Sequence, residues 1–286
     1  YRLIRKSFDC RPLGAVALKG KAEPIRTFEV VGSRKETRSL LETEALTAPL
    51  LGRDEELRQL MELFARAGKG KTQVVNLIGE AGIGKSRLLT AFLKRLDTEG
   101  LLSQITLYQT TCSALGSEAY HVLIDFFRTC FALTLEDSAA QARSKIETIL
   151  QAIGAQTAPI VPAVESLLGF TEKGLSTTHL DPEQLKRQLL LAIKEICQCQ
   201  CRQRPVFLVV EDFQWADAAS VELLRSLVDR VADRPLLLLL VARPTAQTGM
   251  IYSANVDAAV IRLQPLTSED SEALLEALIG PLISPF

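Results

Sequence analysis

Residues 79–86 read Gly-Glu-Ala-Gly-Ile-Gly-Lys-Ser and follow directly on the apolar run Val74–Ile78. The stretch fits the pattern G-x-x-x-x-G-K-[ST], in which glycines let the backbone wrap a polyphosphate with successive N–H groups turned towards its oxygens. A helix-like run, Arg87 to Leu96, comes next, and a helix starting near Lys85 would add the positive end of its dipole. The pattern assigns the Lys85 ammonium to the β- and γ-phosphates and the Ser86 hydroxyl to Mg²⁺. Gly79, Glu80, Ala81, Gly82, Ile83, Gly84, Lys85, Ser86 and the adjoining Arg87 are therefore the candidate phosphate-contacting residues. An ordinary glycine-rich turn would not need an apolar strand before it and a helix after it.

Outside this loop, composition sets limits. The chain has 286 residues, 47% of them hydrophobic and 23% charged, which is the composition of a folded protein with a sizeable core. A net charge of −1 gives no general attraction to nucleic acid or to an anionic membrane, and neither is expected as a partner. The longest aliphatic run, Leu236–Val241, is far too short to cross a bilayer and reads as a buried strand. Six cysteines in a chain of this size do not make a disulfide framework, so reduced thiols and a cytoplasmic setting are expected. Cys197, Cys199 and Cys201 form C-x-C-x-C, but no His or Cys stands at metal-site spacing from them. The chain starts at Tyr1 rather than Met and is expected to be an excerpt of a longer protein.

Along the chain, residues 1–31 have hairpin character. Extended runs at Ala15–Lys19 and Ile25–Val31 flank a turn region at 20–24, and some thirty residues cannot build a core alone. Residues 32–47 are polar and read as a linker. From Leu50, the residues Leu57, Leu60, Met61 and Phe64 recur at helical spacing up to Gly68, and this helix is expected to present Arg53 and Glu56 at its start. Ile105–Thr110 reads as a strand, and Tyr120 to Leu133 and Gln141 to Ile153 as helices, with Pro159 and Pro162 breaking the chain afterwards. Asp181-Pro182 opens a further helix with a stripe of Leu185, Leu189, Ile193 and Ile196. Val206–Val210, Leu236–Ala242 and Val260–Leu263 read as strands. Asp217 caps a helix between the first two, and a last helix starts at Thr267.

Strands that are apolar throughout and separated by helices imply an α/β fold, a parallel sheet covered by helices on both faces. Ligands of such sheets bind outside the carboxyl ends of the strands. Gly79 and the pair Glu211-Asp212 both lie at such ends. Nucleotide chemistry there needs one acid in the Mg²⁺ shell and one group to orient or deprotonate water, tasks that suit Glu211 and Asp212. Arg243, just past the next buried strand, can reach a γ-phosphate with its planar fork. Trp215, beside the acidic pair, is expected to pack into the core against the following helix.

These segments together carry a family resemblance. GEAGIGKSRLL, VFLVVEDFQWADAASVELL and LLLLLVARP, in that order, resemble the STAND branch of AAA+-like P-loop ATPases, and LLGRDEEL resembles the Gly-Arg-x-x-Glu element ahead of the P-loop. The resemblance covers Leu50 to the end. It implies a P-loop core over residues 48–265 and a truncated helical lid over 266–286, with ATP and Mg²⁺ as ligands. It further implies that Gly52 and Arg53 contact the adenine side, that Lys85, Glu211, Asp212 and Arg243 are the catalytic set, and that the Arg243 strand lies between the P-loop strand and the acidic strand. Family members commonly present Asp then Glu at the acidic strand end, whereas this chain has Glu211 then Asp212. The shorter Asp212 at the base position would reach water less easily, which implies slow turnover suited to a switch.

The segment PLGAVALKGKAEPIRTFEVV resembles the last strands of a class III nucleotidyl cyclase catalytic domain. That resemblance implies a cyclase domain upstream, a helical-repeat sensor downstream and a regulatory ATPase module between them, within a signalling protein. The metal-binding aspartates of a cyclase would lie upstream of Tyr1, so no cyclase activity is expected of these residues. Two other functions are compatible with the same loop. One is a P-loop small-molecule or nucleoside kinase, with an acceptor pocket within Tyr120–Phe170. The other is a nucleotide-binding scaffold that does not hydrolyse.

Overall fold

The computed structural model describes residues 8–16, 25–33, 50–112, 119–134, 136–158, 160–170, 181–244, 251–253 and 255–279. The chain divides into two compact units, Tyr1–Thr47 and Ala48–Phe286.

The first unit contains β1 (Phe8–Val16) and β2 (Ile25–Ser33), an antiparallel pair running from Phe8 opposite Ser33 to Val16 opposite Ile25. The first strand thus begins well before the Ala15 expected from the sequence. Register shifts at Asp9/Cys10 and Pro12/Gly14 explain the difference. Proline cannot donate to a ladder and sits in strands at edges or irregularities, so Pro12 obscured a strand that accommodates it at a bulge. The expected turn at 20–24 and most of the linker lie outside the described residues.

In the second unit, the helix α1 (Asp54–Gly68) leads into β3 (Gln73–Ile78), whose six residues are all buried. Next come α2 (Lys85–Thr98), β4 (Thr106–Thr111) and four helices, α3 (His121–Cys130), α4 (Ala139–Ile153), α5 (Ile160–Leu168) and α6 (Pro182–Gln203). The chain then alternates through β5 (Val206–Glu211), α7 (Ala218–Arg230), β6 (Leu236–Ala242), β7 (Asp257–Arg262) and α8 (Ser268–Ile279). All pairings in the sheet are parallel and its order is β4-β5-β6-β3-β7. The Arg243 strand therefore lies between the P-loop strand and the acidic strand, as expected.

Strand alternation divides the core between the two faces. Leu208, Val210, Leu238 and Leu240 join Tyr108, Phe126, Phe127, Ile193 and Leu224 in one continuous cluster with α3 to α7. On the opposite face Phe92 of α2 packs edge-to-face on Phe207 at 5.7 Å and on Phe64 of α1 at 6.0 Å. Both faces of β6 are covered, which is why its seven aliphatic residues are all buried. The six-residue length of most strands and the aliphatic centre are what an α/β sheet requires.

Three expectations need correction here. The deepest residues of α1 are Leu60, Leu63 and Ala67, while Leu57, Met61 and Phe64 are only partly buried. Pro162 does not break the chain but stands third in α5, where the missing N–H has no intrahelical partner to lose. Trp215 is 46% exposed. It ends a short 3₁₀ turn, Phe213–Trp215, in which Phe213 takes the core position instead.

The cysteine triplet belongs to packing. Cys197 and Cys201 lie one helical turn apart on α6 and are buried, as is Cys199, and all three are free thiols. Burial pushes the Cys201 thiol up to about 11 and the Cys197 thiol up as well, so both stay protonated at neutral pH.

One carboxylate joins two helices. Asp217 accepts at Oδ1 from the Ser220 N–H at 2.8 Å, which caps α7 as the sequence indicates. It also accepts from the N–H groups of Tyr120 (3.0 Å) and His121 (3.1 Å) at the start of α3, and from the Ser220 hydroxyl at 2.6 Å. Asp217→Ala removes the cap of α7 and the anchor of α3 together. With about 1 kcal/mol per lost cap, it is expected to lower stability by about 2 kcal/mol in urea denaturation. Asp217→Asn, which keeps one acceptor oxygen, is expected to recover roughly half of that loss.

Candidate functional site

The carboxyl ends of β3, β6 and β5 stand side by side, and each delivers part of the site. Ile78 pairs with Ala242, and the ladder continues one step further as Gly79 N–H donates to the Ala242 carbonyl at 3.2 Å. On the other side Leu263 N–H donates to the Ile78 carbonyl at 2.8 Å. The loop is thus pinned where it leaves the sheet. A Cβ at Gly79 would lie 2.6 Å from Ile83 Cγ2 and 3.2 Å from Leu263 Cβ, so the close turn excludes a side chain. Gly84, the residue before α2, has φ +104°, a backbone conformation open to glycine and strained for other residues.

Helix α2 starts without a side-chain cap and has no acidic residue in its first turn. Its leading N–H groups and dipole are thus left for an anion from outside the helix. Lys85 Nζ reaches back to donate to the carbonyls of Gly79 (2.7 Å) and Glu80 (2.8 Å). Partial burial, followed by the charge of Arg243, holds the Lys85 ammonium below its usual range, and Asp212 and Glu80 pull the other way. Two cations and the acidic strand end are therefore in electrostatic contact around one loop.

Glu211 is the last residue of β5, and its carbonyl accepts from Cys112 N–H at 2.9 Å. Burial pushes its carboxyl up, and the neighbouring Asp212 charge adds to the shift. Asp212 is left-handed, with φ 52° and ψ 36°, and begins the turn closed by Trp215 N–H on its carbonyl at 2.9 Å. Gln214 Nε2 donates to Asp212 Oδ1 at 2.9 Å, while Gln214 Oε1 accepts from Arg243 N–H at 3.0 Å. A mid-turn glutamine matches no catalytic pattern, so Gln214 carries no signal in the sequence.

The Gly52-Arg53 element lies against the segment after β7. Arg53 is 6% exposed, not presented at the start of α1 as expected. Its guanidinium donates to Glu56 Oε1 (2.9 Å) and to the carbonyls of Gln264 (2.5 Å) and Ile83 (3.5 Å). A fork of five donors explains why an arginine can be buried there. Gly52 has φ +62°, and a Cβ on it would lie 2.4 Å from Asp270 Oδ2. Thr267 Oγ1 accepts from Asp270 N–H at 3.1 Å, so Thr267 caps α8 where it meets Gly52. Ser86 is exposed and Arg87 half-buried beside the loop.

The residues present fit a polyphosphate with a divalent cation. An uncapped helix start and two mutually repelling cations suit phosphate oxygens. A partly buried acid with a raised pKa, Glu211, suits a cation that would relieve it. Among the described residues no cluster of three His, Cys, Asp or Glu is set to hold a metal unaided. No helix among them is long and apolar enough to cross a membrane.

A protein of Rhizobium meliloti (strain 1021), "Uncharacterized protein R02095", is 26% identical over 267 residues, 92% of this chain. The chain spans only a quarter of that relative's length. Among solved structures, the Aeropyrum pernix ORC1 protein in complex with DNA aligns at 16% identity with a TM-score of 0.44, over 85% of this chain and 53% of that one. The STAND protein PH0952 of Pyrococcus horikoshii, which has a tetratricopeptide repeat sensor, aligns at 12% identity with a TM-score of 0.39, over 83% of this chain and 27% of that one. Neither structural likeness bears on what this chain binds. The model of the AAA ATPase domain matches residues 49–241, about two-thirds of the chain, and the chain belongs to that family.

Proposed function

We propose that the chain is an ATP-binding, slowly hydrolysing switch module of a signalling protein. The observation that carries this reading is the convergence of Lys85, Glu211-Asp212 and Arg243 at the ends of three adjacent parallel strands, where the charges of Arg243 and Asp212 both act on Lys85. Residues Gly79 to Arg87 hold the phosphates through backbone N–H groups and the Lys85 ammonium. Ser86 and Glu211 would supply the protein's share of a Mg²⁺ shell, and the cation would supply charge neutralisation at the phosphates. Arg243 contacts the γ-phosphate, and Gly52 and Arg53 border the adenine.

In hydrolysis a water oxygen bonds to the γ-phosphorus as its bond to the β,γ-bridging oxygen breaks, giving ADP and phosphate. Asp212 takes the proton from the water. Its side chain is one methylene shorter than Glu, so the reach is poor and turnover slow. Loss of the γ-phosphate releases the segment from Gln264 into α8, the start of a helical lid, and alters how neighbouring domains are held. The L-K-G-x-x-E-P segment and its antiparallel strand pair support a cyclase-type domain upstream as one such neighbour, in a cytoplasmic protein with a repeat sensor downstream.

Measured as phosphate release by the full-length protein, Lys85→Ala and Glu211→Gln are each expected to lower kcat by about 10²-fold or more. Undiminished turnover in both would sink the assignment. Phosphate appearing on an added small-molecule acceptor rather than in water would favour a kinase.

A second expectation concerns stability in the absence of nucleotide. The Glu211 carboxyl has a folded pKa above its ordinary 4.5, so its contribution is fully present below that value and is lost as pH rises through the folded pKa. Glu211→Gln removes this loss. Denaturation midpoints of the variant should therefore exceed those of the wild type at neutral pH and converge with them near pH 4.5. Equal midpoints across the range would place the carboxylate in solvent.

A further inference from the structure

We infer that Gln214 is a positioning residue for hydrolysis: its side-chain amide ties the Asp212 carboxylate to the end of the Arg243 strand, so that acid and arginine are held in one fixed relation. The inference rests on the hydrolytic reading above and extends it to a residue in the turn after β5.

The amide uses both of its ends. Nε2 donates to Asp212 Oδ1 at 2.9 Å and Oε1 accepts from the Arg243 backbone N–H at 3.0 Å. Each end therefore meets the partner its chemistry demands. A flipped amide would set its NH₂ against the Arg243 N–H and its oxygen against the carboxylate, so only one orientation is stable. The side chain is partly buried, next to Phe213 in the core, which limits the rotamers open to it.

Asp212 needs such support. It is a non-glycine residue in the left-handed region, a conformation that persists where its surroundings hold it. The Trp215 N–H fixes its carbonyl, and Gln214 fixes its carboxylate. With Oδ1 committed to the amide, the proton from the attacking water falls to Oδ2. Because the same amide grips the backbone of Arg243, a shift of the β6 end on loss of the γ-phosphate also moves the acid. Glutamine is the residue for this: glutamate would keep the acceptor but lose the donor, and leucine would keep the bulk and lose both.

The test uses the full-length protein with Gln214→Glu, Gln214→Leu and Lys85→Ala. Gln214→Leu is expected to lose kcat by about tenfold or more with the KM for ATP within about threefold of wild type, since only the positioning of the acid changes, and Gln214→Glu is expected to lose at least as much kcat. Gln214→Glu sets a second carboxylate against Asp212 and should melt below wild type, whereas Gln214→Leu adds no charge and carries the KM comparison. A glutamate variant with wild-type kcat would overturn the inference and leave a packing role. Lys85→Ala turning over like wild type would instead overturn the hydrolytic reading on which it rests. Should the wild type bind ATP without turnover, the ratio of ATP to ADP affinity by titration calorimetry decides. Gln214→Leu is expected to narrow that ratio about fivefold with ADP affinity unchanged, and an unchanged ratio overturns the coupling.

Discussion

The parallel pairing of β3 with β6 is the constraint from which the site follows. Its register places Ile78 beside Ala242, and the bond from Gly79 N–H to the Ala242 carbonyl carries the ladder into the loop. Backbone hydrogen bonds thus bring the loop that leads to Lys85 alongside the end of the Arg243 strand. Pairing β6 with β5 on its other edge brings Glu211 and Asp212 to the same end. A one-residue slip in either pairing would separate the charges by moving one strand end past the other.

Much of this was legible because two-sided burial writes a simple code. Runs such as Leu236–Ala242 and Val206–Val210 can be little else than central strands of a covered sheet, and Asp217 ahead of a helical stripe is a cap by its chemistry. Legibility failed where a residue's place depends on partners distant in sequence. Arg53 looks like an exposed charge until Gln264, more than two hundred residues on, supplies a carbonyl to it. Trp215 looks like core until the turn shows that Phe213 takes the inside position. Gln214 is invisible to pattern reading, because its role lies in joining two strand ends that only the fold brings together.

The acidic strand end illustrates how local strain and long-range contact combine. Asp212 in the left-handed region turns the chain sharply after β5, which keeps its carboxylate next to the sheet end instead of following the strand direction into solvent. The turn it starts also delivers Gln214 to Arg243 and Phe213 to the core. A change at any of these three residues would be felt by the other two, so substitutions in the turn should not combine additively.

The triple engagement of Asp217 has a consequence for the timing of local opening. The amide protons of Tyr120, His121 and Ser220 are all held by one carboxylate, although the first two belong to the start of α3 and the third to α7. Release of that carboxylate exposes all three at once, so their exchange with solvent deuterium reports one shared event rather than the fraying of two separate helices. The start of α3, about a hundred residues earlier in the chain, is in this sense a reporter of motion in the turn that follows the acidic strand.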